Sequence, residues 1–289
     1  MTARPAQSSS EIALTPLAPA IGAEIHGLDL AMPMEERIFE AVLDAFHRHL
    51  VLLFRGQSLN PAQHIAFSRR FGQLEIHVLN QYHDPAHPEL YVISNLGADG
   101  KPRGVHPDKG TMTWHTDTSF TRTPSLATIL YGKEVAREGG ETWLANMHAA
   151  YDALPASLKE RLMEMRAIHD LGESRRKSED LPLTAEQRIA APSVEHPIVR
   201  THPVTGRKGI YLGSHAHWIK GLSAEEGQML LAELMRHATQ DAFVYKHRWQ
   251  TGDLLMWDNR ATLHRATSYD TARERRVVQR TVVKGDAPR

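Results

Sequence analysis

With 289 residues and 41% hydrophobic side chains, the chain can bury a sizeable core as one large domain or two small ones. Its 34 basic and 34 acidic side chains cancel, which gives no support to a nucleic-acid or membrane-surface partner and points to small molecules. Cysteine is absent, so disulfides and thiolate chemistry are excluded, and any metal must be held by His, Asp or Glu.

The opening "MTARPAQSSSE" has one arginine and no following apolar stretch, so residues 1–11 read as a flexible tail on a cytoplasmic protein. No internal repeat interrupts the rest, and a single domain over 1–289 is expected. From Glu35, a helical period places Ile38, Ala41, Val42, Ala45 and Phe46 on one face, and a strand runs from Leu50 to Phe54. Asn60-Pro61 reads as the N-cap and first residue of a second helix ending near Gly72. "SLATILYGKEV" predicts a core strand, and Pro155 opens a helix with Leu158, Leu162 and Met165 in phase.

Residues 169–197 are charged, proline-interrupted and too long for an ordinary connection, so they read as a lid or binding loop, or else a solvated insertion. "IVRTHPVTGRKGIYL" predicts a hairpin, and Ser223 with Glu226 forms a capping box for a helix carrying Leu230, Leu231, Leu234 and Met235. "FVYKHRW", "LLMWD", "ATLHRAT" and "RVVQRTVV" then follow in quick succession, the rhythm of an antiparallel sandwich or barrel decorated by helices, an α+β chain.

Chemistry concentrates in "TMTWHTDTSF", where an extended backbone would point His115 and Asp117 to one face and Trp114 to the other. Such a pair can hold a metal, run acid–base chemistry, or simply hydrogen-bond. A second His-x-Asp, His106-Pro107-Asp108, lies in "GKPRGVHPDKG", a composition that predicts a mobile loop rather than a rigid wall. His264 in "LLMWDNRATLHRATSYD" is the third ligand a sandwich could return beside the first two. Two imidazoles and one carboxylate on one face of an octahedral ion leave three positions open, as in non-haem Fe(II) oxygenases. The same shell also suits a zinc hydrolase or a cupin-like protein that binds metal without turnover. In "RERRVVQRTVV", the spacing of Arg276, Val278 and Arg280 predicts both arginines on one face of a strand with valines on the other, unless they are exposed on a sheet edge. Two inward cations require two anions.

From "GAEIHGLDL" and "VLLFRGQSLNPAQHIAFSRRFG" through "WHTDTSF", "GGETWLANMHAAYDALP" and "HPIVRTHPVTGRKGIYL" to "GDLLMWDNRATLHRA", the chain resembles the Fe(II)/2-oxoglutarate dioxygenases of the taurine/dichlorophenoxyacetate dioxygenase family. The resemblance implies a jelly-roll (double-stranded β-helix, cupin-like) core and a dimer or tetramer. It also implies His115, Asp117 and His264 as Fe(II) ligands, and Thr142 and Arg276 as the contacts of 2-oxoglutarate, with Arg275 as the alternative. Arg280 would then face an anionic primary substrate, and His77 in "LEIHVLN" resembles a substrate contact. The implied reaction uses O2 to decarboxylate 2-oxoglutarate to succinate and CO2 while hydroxylating a substrate carbon. "KGTMT" before the metal motif lacks the amine-binding acid of the taurine enzymes. "LGSHAHWIKGLSAEEGQMLLAEL" and "FVYKHRW" are similar to the aryloxyalkanoate branch, so an aryloxyalkanoate-like carboxylate is expected, with an alkylsulfonate or sulfate ester as the alternative.

Overall fold

The computed structural model describes residues 12–76 and 82–289, so the predicted tail at 1–11 and the expected substrate contact His77 lie outside it. Helix α1 (Glu36–His49) buries Phe39, Val42, Ala45 and Phe46, as the periodicity predicts. Helix α2 (Pro61–Arg69) starts at a capping box in which the Asn60 side chain accepts from the Gln63 amide and the Gln63 side chain accepts from the Asn60 amide, each at 2.9 Å. Proline at its first turn loses no hydrogen bond there.

Both helices cover one face of a seven-stranded sheet. Its strands are β1 (Ala13–Pro16), β2 (Ala23–His26), β3 (Val51–Phe54), β4 (Tyr91–Ser94), β5 (Ala127–Glu134), β13 (Leu254–Asp258) and β15 (Val277–Val283). They lie in the order β1-β2-β3-β13-β5-β15-β4, and every neighbouring pair is antiparallel except β2 with β3. Segments such as "VLLF" and "LLMW" lack polar alternation because both faces are buried. Leu52, Phe54, Leu254 and Met256 pack under the helices, while Val51, Leu53, Leu255 and Trp257 enter a second core.

That second core is closed by a three-stranded sheet, β12 (Val244–His247), β6 (Thr142–Asn146) and β14 (Thr262–Ala266), which pairs Leu144 with His264 and Thr142 with Ala266. Its inner residues share the jelly-roll interior. Its outer residues Ala145 and Leu263 pack with Leu230, Leu231 and Leu234 of α7 (Ala224–Ala238), whose Ser223/Glu226 capping box is present. The predicted hairpin forms from β9 (Val199–Thr201) and β10 (Lys208–Ile210). Helix α4 (Ala156–Met163) begins after Pro155 and ends before Met165, which still packs against this outer core.

Segment 169–197 carries regular structure of its own. It holds α5 (Leu171–Lys177), α6 (Ala185–Ala190) and β8 (Val194–Pro197), the last paired with β7 (Arg166–His169). Leu171 and Leu183 are buried in the jelly-roll interior. Helices of seven and six residues are too short to leave a visible period in the sequence. No helix among the described residues is long and apolar enough to cross a membrane.

Candidate active site

The site lies inside the jelly roll, where β14 meets the segment before β5. His115 forms an isolated antiparallel bridge with His264, and the two exchange backbone hydrogen bonds of 3.0 and 2.8 Å. The chain then leaves the extended path. Asp117 to Phe120 form a turn, with Thr118 at φ 50°, so "TMTWHTDTSF" holds a single bridge residue followed by a turn rather than a strand throughout. The turn swings the Asp117 carboxylate toward both imidazoles. Gly213 makes the close packing possible, because a Cβ there would stand 3.0 Å from the His115 Cα.

His115, Asp117 and His264 are buried and offer ligand atoms within 4.8 Å of one another. His115 Nε2 stands 3.9 Å from Asp117 Oδ1, and His264 Nε2 stands 3.6 Å from Asp117 Oδ2, too far for a hydrogen bond to either. The His115 Nδ1–H donates to the Thr113 carbonyl at 2.7 Å, which leaves Nε2 as the lone-pair nitrogen facing the centre. Two imidazole nitrogens and a carboxylate oxygen that do not bond to each other fit a divalent cation between them. The electrostatics agree. Burial alone would raise the Asp117 carboxyl, but Arg280, with the two histidines and the Thr128 hydroxyl, holds it well below the usual carboxylate range. Burial drives His264 well below its ordinary value, so it stays neutral.

Around these groups runs a polar network that sequence reading missed. The Thr128 hydroxyl donates to Asp117 Oδ2 and accepts from Asn259 Nδ2 at 2.8 Å, while Asn259 Oδ1 accepts from the Trp257 indole at 3.1 Å and from the Asp117 amide at 3.3 Å. Trp257 also stands 4.5 Å, ring to ring, from His264. The only available signal was the polar Asn259 directly after the apolar "LLMWD".

Two cavities meet at the three residues. One runs from His115 and His264 past Trp257 and Leu130 to Thr142 and Arg276. Arg276 is buried, its amide donates to Asn95 Oδ1 at 2.9 Å, and among the described residues its guanidinium has no carboxylate partner. Burial accordingly lowers its pKa, although it remains a cation. The glycines of "GGET" make room: Gly140 has φ +64°, and a Cβ on it would press to 3.4 Å from Arg276 Nε. The Thr142 hydroxyl accepts from the Trp249 indole at 3.0 Å. Arg275 points elsewhere, to an exposed ion pair with Glu134 at 2.6 Å.

The second cavity is lined by Asp117, Phe120, Arg175, His215 and Arg280, among others. Arg280 borders both cavities. Its Nη1 lies 3.1 Å from Asp117 Oδ1 and its guanidinium sits 4.3 Å from the centre of the Tyr91 ring. Arg276 and Arg280 therefore share a face as expected, but the valine expectation is corrected. Val278 has the same parity as the arginines and packs inward with Ile93 and Leu130, while Gln279, Thr281 and Val283 face the other way. His106 of the second His-x-Asp is not grouped with the three ligands; its ring lies 5.9 Å from that of Tyr269. Asp108 does border the second cavity, where it accepts from the Tyr91 hydroxyl at 3.1 Å.

Residues 13–282 match the profile of the family described as taurine catabolism dioxygenase TauD, TfdA family. The chain is 41% identical over 287 residues to the alpha-ketoglutarate-dependent 2,4-dichlorophenoxyacetate dioxygenase of Cupriavidus pinatubonensis, covering 96% of this chain and 99% of that one. It is 32% identical to the alpha-ketoglutarate-dependent sulfate ester dioxygenase of Pseudomonas putida, over 96% of this chain and 91% of the relative. Among solved structures, AAD-2 in complex with Mn(II) and N-oxalylglycine superposes with a TM-score of 0.90 at 36% identity, covering 96% of this chain and 99% of that one. With the His-Asp-His centre and the jelly roll already in place, these matches identify the chain as an oxidoreductase belonging to the TauD, TfdA family of 2-oxoglutarate-dependent dioxygenases.

Proposed function

We propose that the protein hydroxylates a small aryloxyalkanoate-like carboxylate, using Fe(II) held by His115, Asp117 and His264 and 2-oxoglutarate held by Arg276 and Thr142. The observation that carries this reading is the pair of cavities meeting at one buried two-histidine, one-carboxylate centre, with a carboxylate-free arginine at the far end of the first. Bound Fe(II) and 2-oxoglutarate supply the oxidation: one atom of O2 enters succinate as CO2 leaves, and the other enters the substrate as hydroxyl. The remaining roles belong to the protein.

The Arg276 guanidinium offers paired N–H donors to the distal carboxylate of 2-oxoglutarate, a geometry that lysine would not reproduce. Trp257, Leu130 and Ile93 wall that cavity and keep water from it. Arg280 neutralises Asp117 and adds positive potential on the substrate side, while Phe120 and His215, in edge contact at 5.1 Å, offer an aromatic wall to a substrate ring. Hydroxylation at a carbon bearing the ether oxygen yields a hemiacetal, which separates into a phenol and an aldehyde.

The deciding experiment has two stages. Anaerobic addition of 2-oxoglutarate to the Fe(II)-loaded protein should give a visible charge-transfer band, which a zinc hydrolase or an inert metal-binding protein would lack. A panel of aryloxyacetates, alkylsulfonates and sulfate esters is then scored for succinate and for phenol or aldehyde. Succinate formation confined to sulfonates or sulfate esters would transfer the assignment to that branch.

A further inference from the structure

Behind the cavity assigned to 2-oxoglutarate lies a buried group that the proposed chemistry does not use: Asp253, His247 and Trp249. Asp253 and His247 are fully buried. Asp253 Oδ2 accepts from Arg55 Nη1 and from the Gln250 amide, each at 2.8 Å, and His247 Nε2 stands 3.2 Å from the same oxygen. The other nitrogen of that ring, Nδ1, meets the Tyr245 hydroxyl at 3.0 Å.

Placed between Asp253 and Tyr245, the His247 ring stands 4.6 Å from that of Trp249 at 85°, edge to face, and fixes the indole plane. Gly132 on β5 gives the indole room, since a Cβ there would stand 3.0 Å from Trp249 Cε3. The ladder between β12 and β6 sets His247 opposite Thr142, and the Trp249 indole donates to the Thr142 hydroxyl at 3.0 Å. A hydroxyl has one hydrogen to donate and two lone pairs to accept with, whereas an indole nitrogen can only donate. The Trp249 bond therefore occupies a lone pair of Thr142 and leaves its hydrogen for another acceptor. Among the described residues nothing accepts that hydrogen. Thr142 is buried and borders the cavity in which Arg276 lacks a carboxylate.

We infer that Trp249 is a positioning residue for 2-oxoglutarate: its indole N–H makes the Thr142 hydroxyl a donor toward the distal carboxylate beside Arg276, and His247 with Asp253 holds the indole in place. A hydroxyl free to rotate could point its hydrogen elsewhere, and fixing it on binding would cost affinity. Trp249 fixes it beforehand. This inference rests on the 2-oxoglutarate contacts proposed above and adds the residue that favours a 2-oxo acid carrying a second carboxylate.

The test measures Kd rather than turnover. The Fe(II)-loaded protein is titrated anaerobically with 2-oxoglutarate and with 2-oxopentanoate, which keeps the chelating end but has a methyl group in place of the distal carboxylate. Trp249→Phe keeps an aromatic ring and loses the N–H. It should raise the Kd for 2-oxoglutarate roughly 3- to 10-fold, the effect of one hydrogen bond, and leave the Kd for 2-oxopentanoate at its wild-type value. In a Thr142→Val background the same substitution should add nothing, because the hydroxyl it acts through is gone, whereas in Thr142→Ser the effect should return. Equal rises for both oxo acids, a rise that persists in Thr142→Val, or no rise at all would overturn the role of Trp249 alone. If Trp249→Phe does not fold, His247→Leu is read in the same Thr142 backgrounds, since it releases the indole without removing it, and the same outcomes decide. A wild type that gives no charge-transfer band with 2-oxoglutarate overturns the cosubstrate reading, and the Trp249 inference falls with it.

Discussion

At the scale of single residues, the site separates groups by what already bonds to them. The facing atoms of His115, Asp117 and His264 stand apart from one another, so in the proposed site each would contribute a ligand that nothing nearby replaces. Alanine at any of the three should abolish iron-dependent succinate formation and weaken Fe(II) binding, read by metal titration, whereas His106→Ala should leave Fe(II) binding at the wild-type level. Appreciable turnover in a ligand variant would remove that residue from the set. Arg276 and Arg280 should also separate cleanly. Arg276→Ala removes the carboxylate-free guanidinium and should raise the KM for 2-oxoglutarate by about 10- to 150-fold, the equivalent of roughly 1.5–3 kcal/mol. Arg280→Ala should instead spare 2-oxoglutarate affinity and release the Asp117 carboxyl from the cation that holds it low. The carboxylate is then available to metal only at higher pH, so the acid limb of Fe(II) binding should move upward. Loss of 2-oxoglutarate affinity in Arg280→Ala, with none in Arg276→Ala, would exchange their roles.

At the scale of elements, α5 is the short helix that lines the second cavity, and its own stability is small. Seven residues cannot form a helix unaided, so α5 depends on its cap and on the burial of Leu171. Asp170 provides that cap, accepting from the Glu173 amide at 2.8 Å and from the Ser193 hydroxyl at 2.6 Å. Asp170→Ala should cost about 0.5–2 kcal/mol locally and loosen the turn that presents Ser174 and Arg175 to the cavity. The expected result is a higher KM for the aryloxy substrate with an unchanged KM for 2-oxoglutarate, largely rescued by Asp170→Asn; equal rises in both constants would mean that α5 supports the whole site. The same element shows where sequence reading stops. α1, α2, α7 and the closing strands could be read because their periods extend over enough residues, or because a cap such as Asn60-Pro61 or Ser223/Glu226 marks the start. α5 and α6 are shorter than a reliable period. The grouping of His115, Asp117 and His264 was legible from residue type and order, and the parity of Arg276 and Arg280 from spacing alone. Val278 was misassigned to the opposite face although simple parity puts it with the arginines.

At the scale of the whole molecule, the packing of several layers confines neutral histidines in the interior, and this predicts how stability responds to acid. His64 sits between α2 and β15, where its Nε2 meets the Thr281 hydroxyl at 3.2 Å, and burial pushes it down to about 4. His169 at the end of β7 is driven well below its ordinary 6.5, and His217 on β11 (Ala216–Ile219) is pushed down to about 4, both by burial first. In each case the folded chain binds a proton less readily than the unfolded chain, whose histidines titrate near 6.5. The sign follows from linkage: the unfolded state holds more protons below that value, so stability is fully present above it and declines as pH falls toward the folded-state values. Each fully buried group of this kind removes about 1.4 kcal/mol per pH unit in that window, so His64 and His169 together should remove about 3 kcal/mol by about pH 5.5, with His217 adding in the same direction. That is a large part of the 5–15 kcal/mol that holds an ordinary protein folded. Urea midpoints taken between about pH 7.5 and about pH 5.5 should therefore fall steeply, well above the range where carboxylates titrate. His64→Gln, which cannot take up the proton, should flatten that slope by about half of the His64 and His169 effect even if its stability at neutral pH is lower. Stability that stays level down to about pH 5 would show that these histidines do not remain neutral in the folded protein.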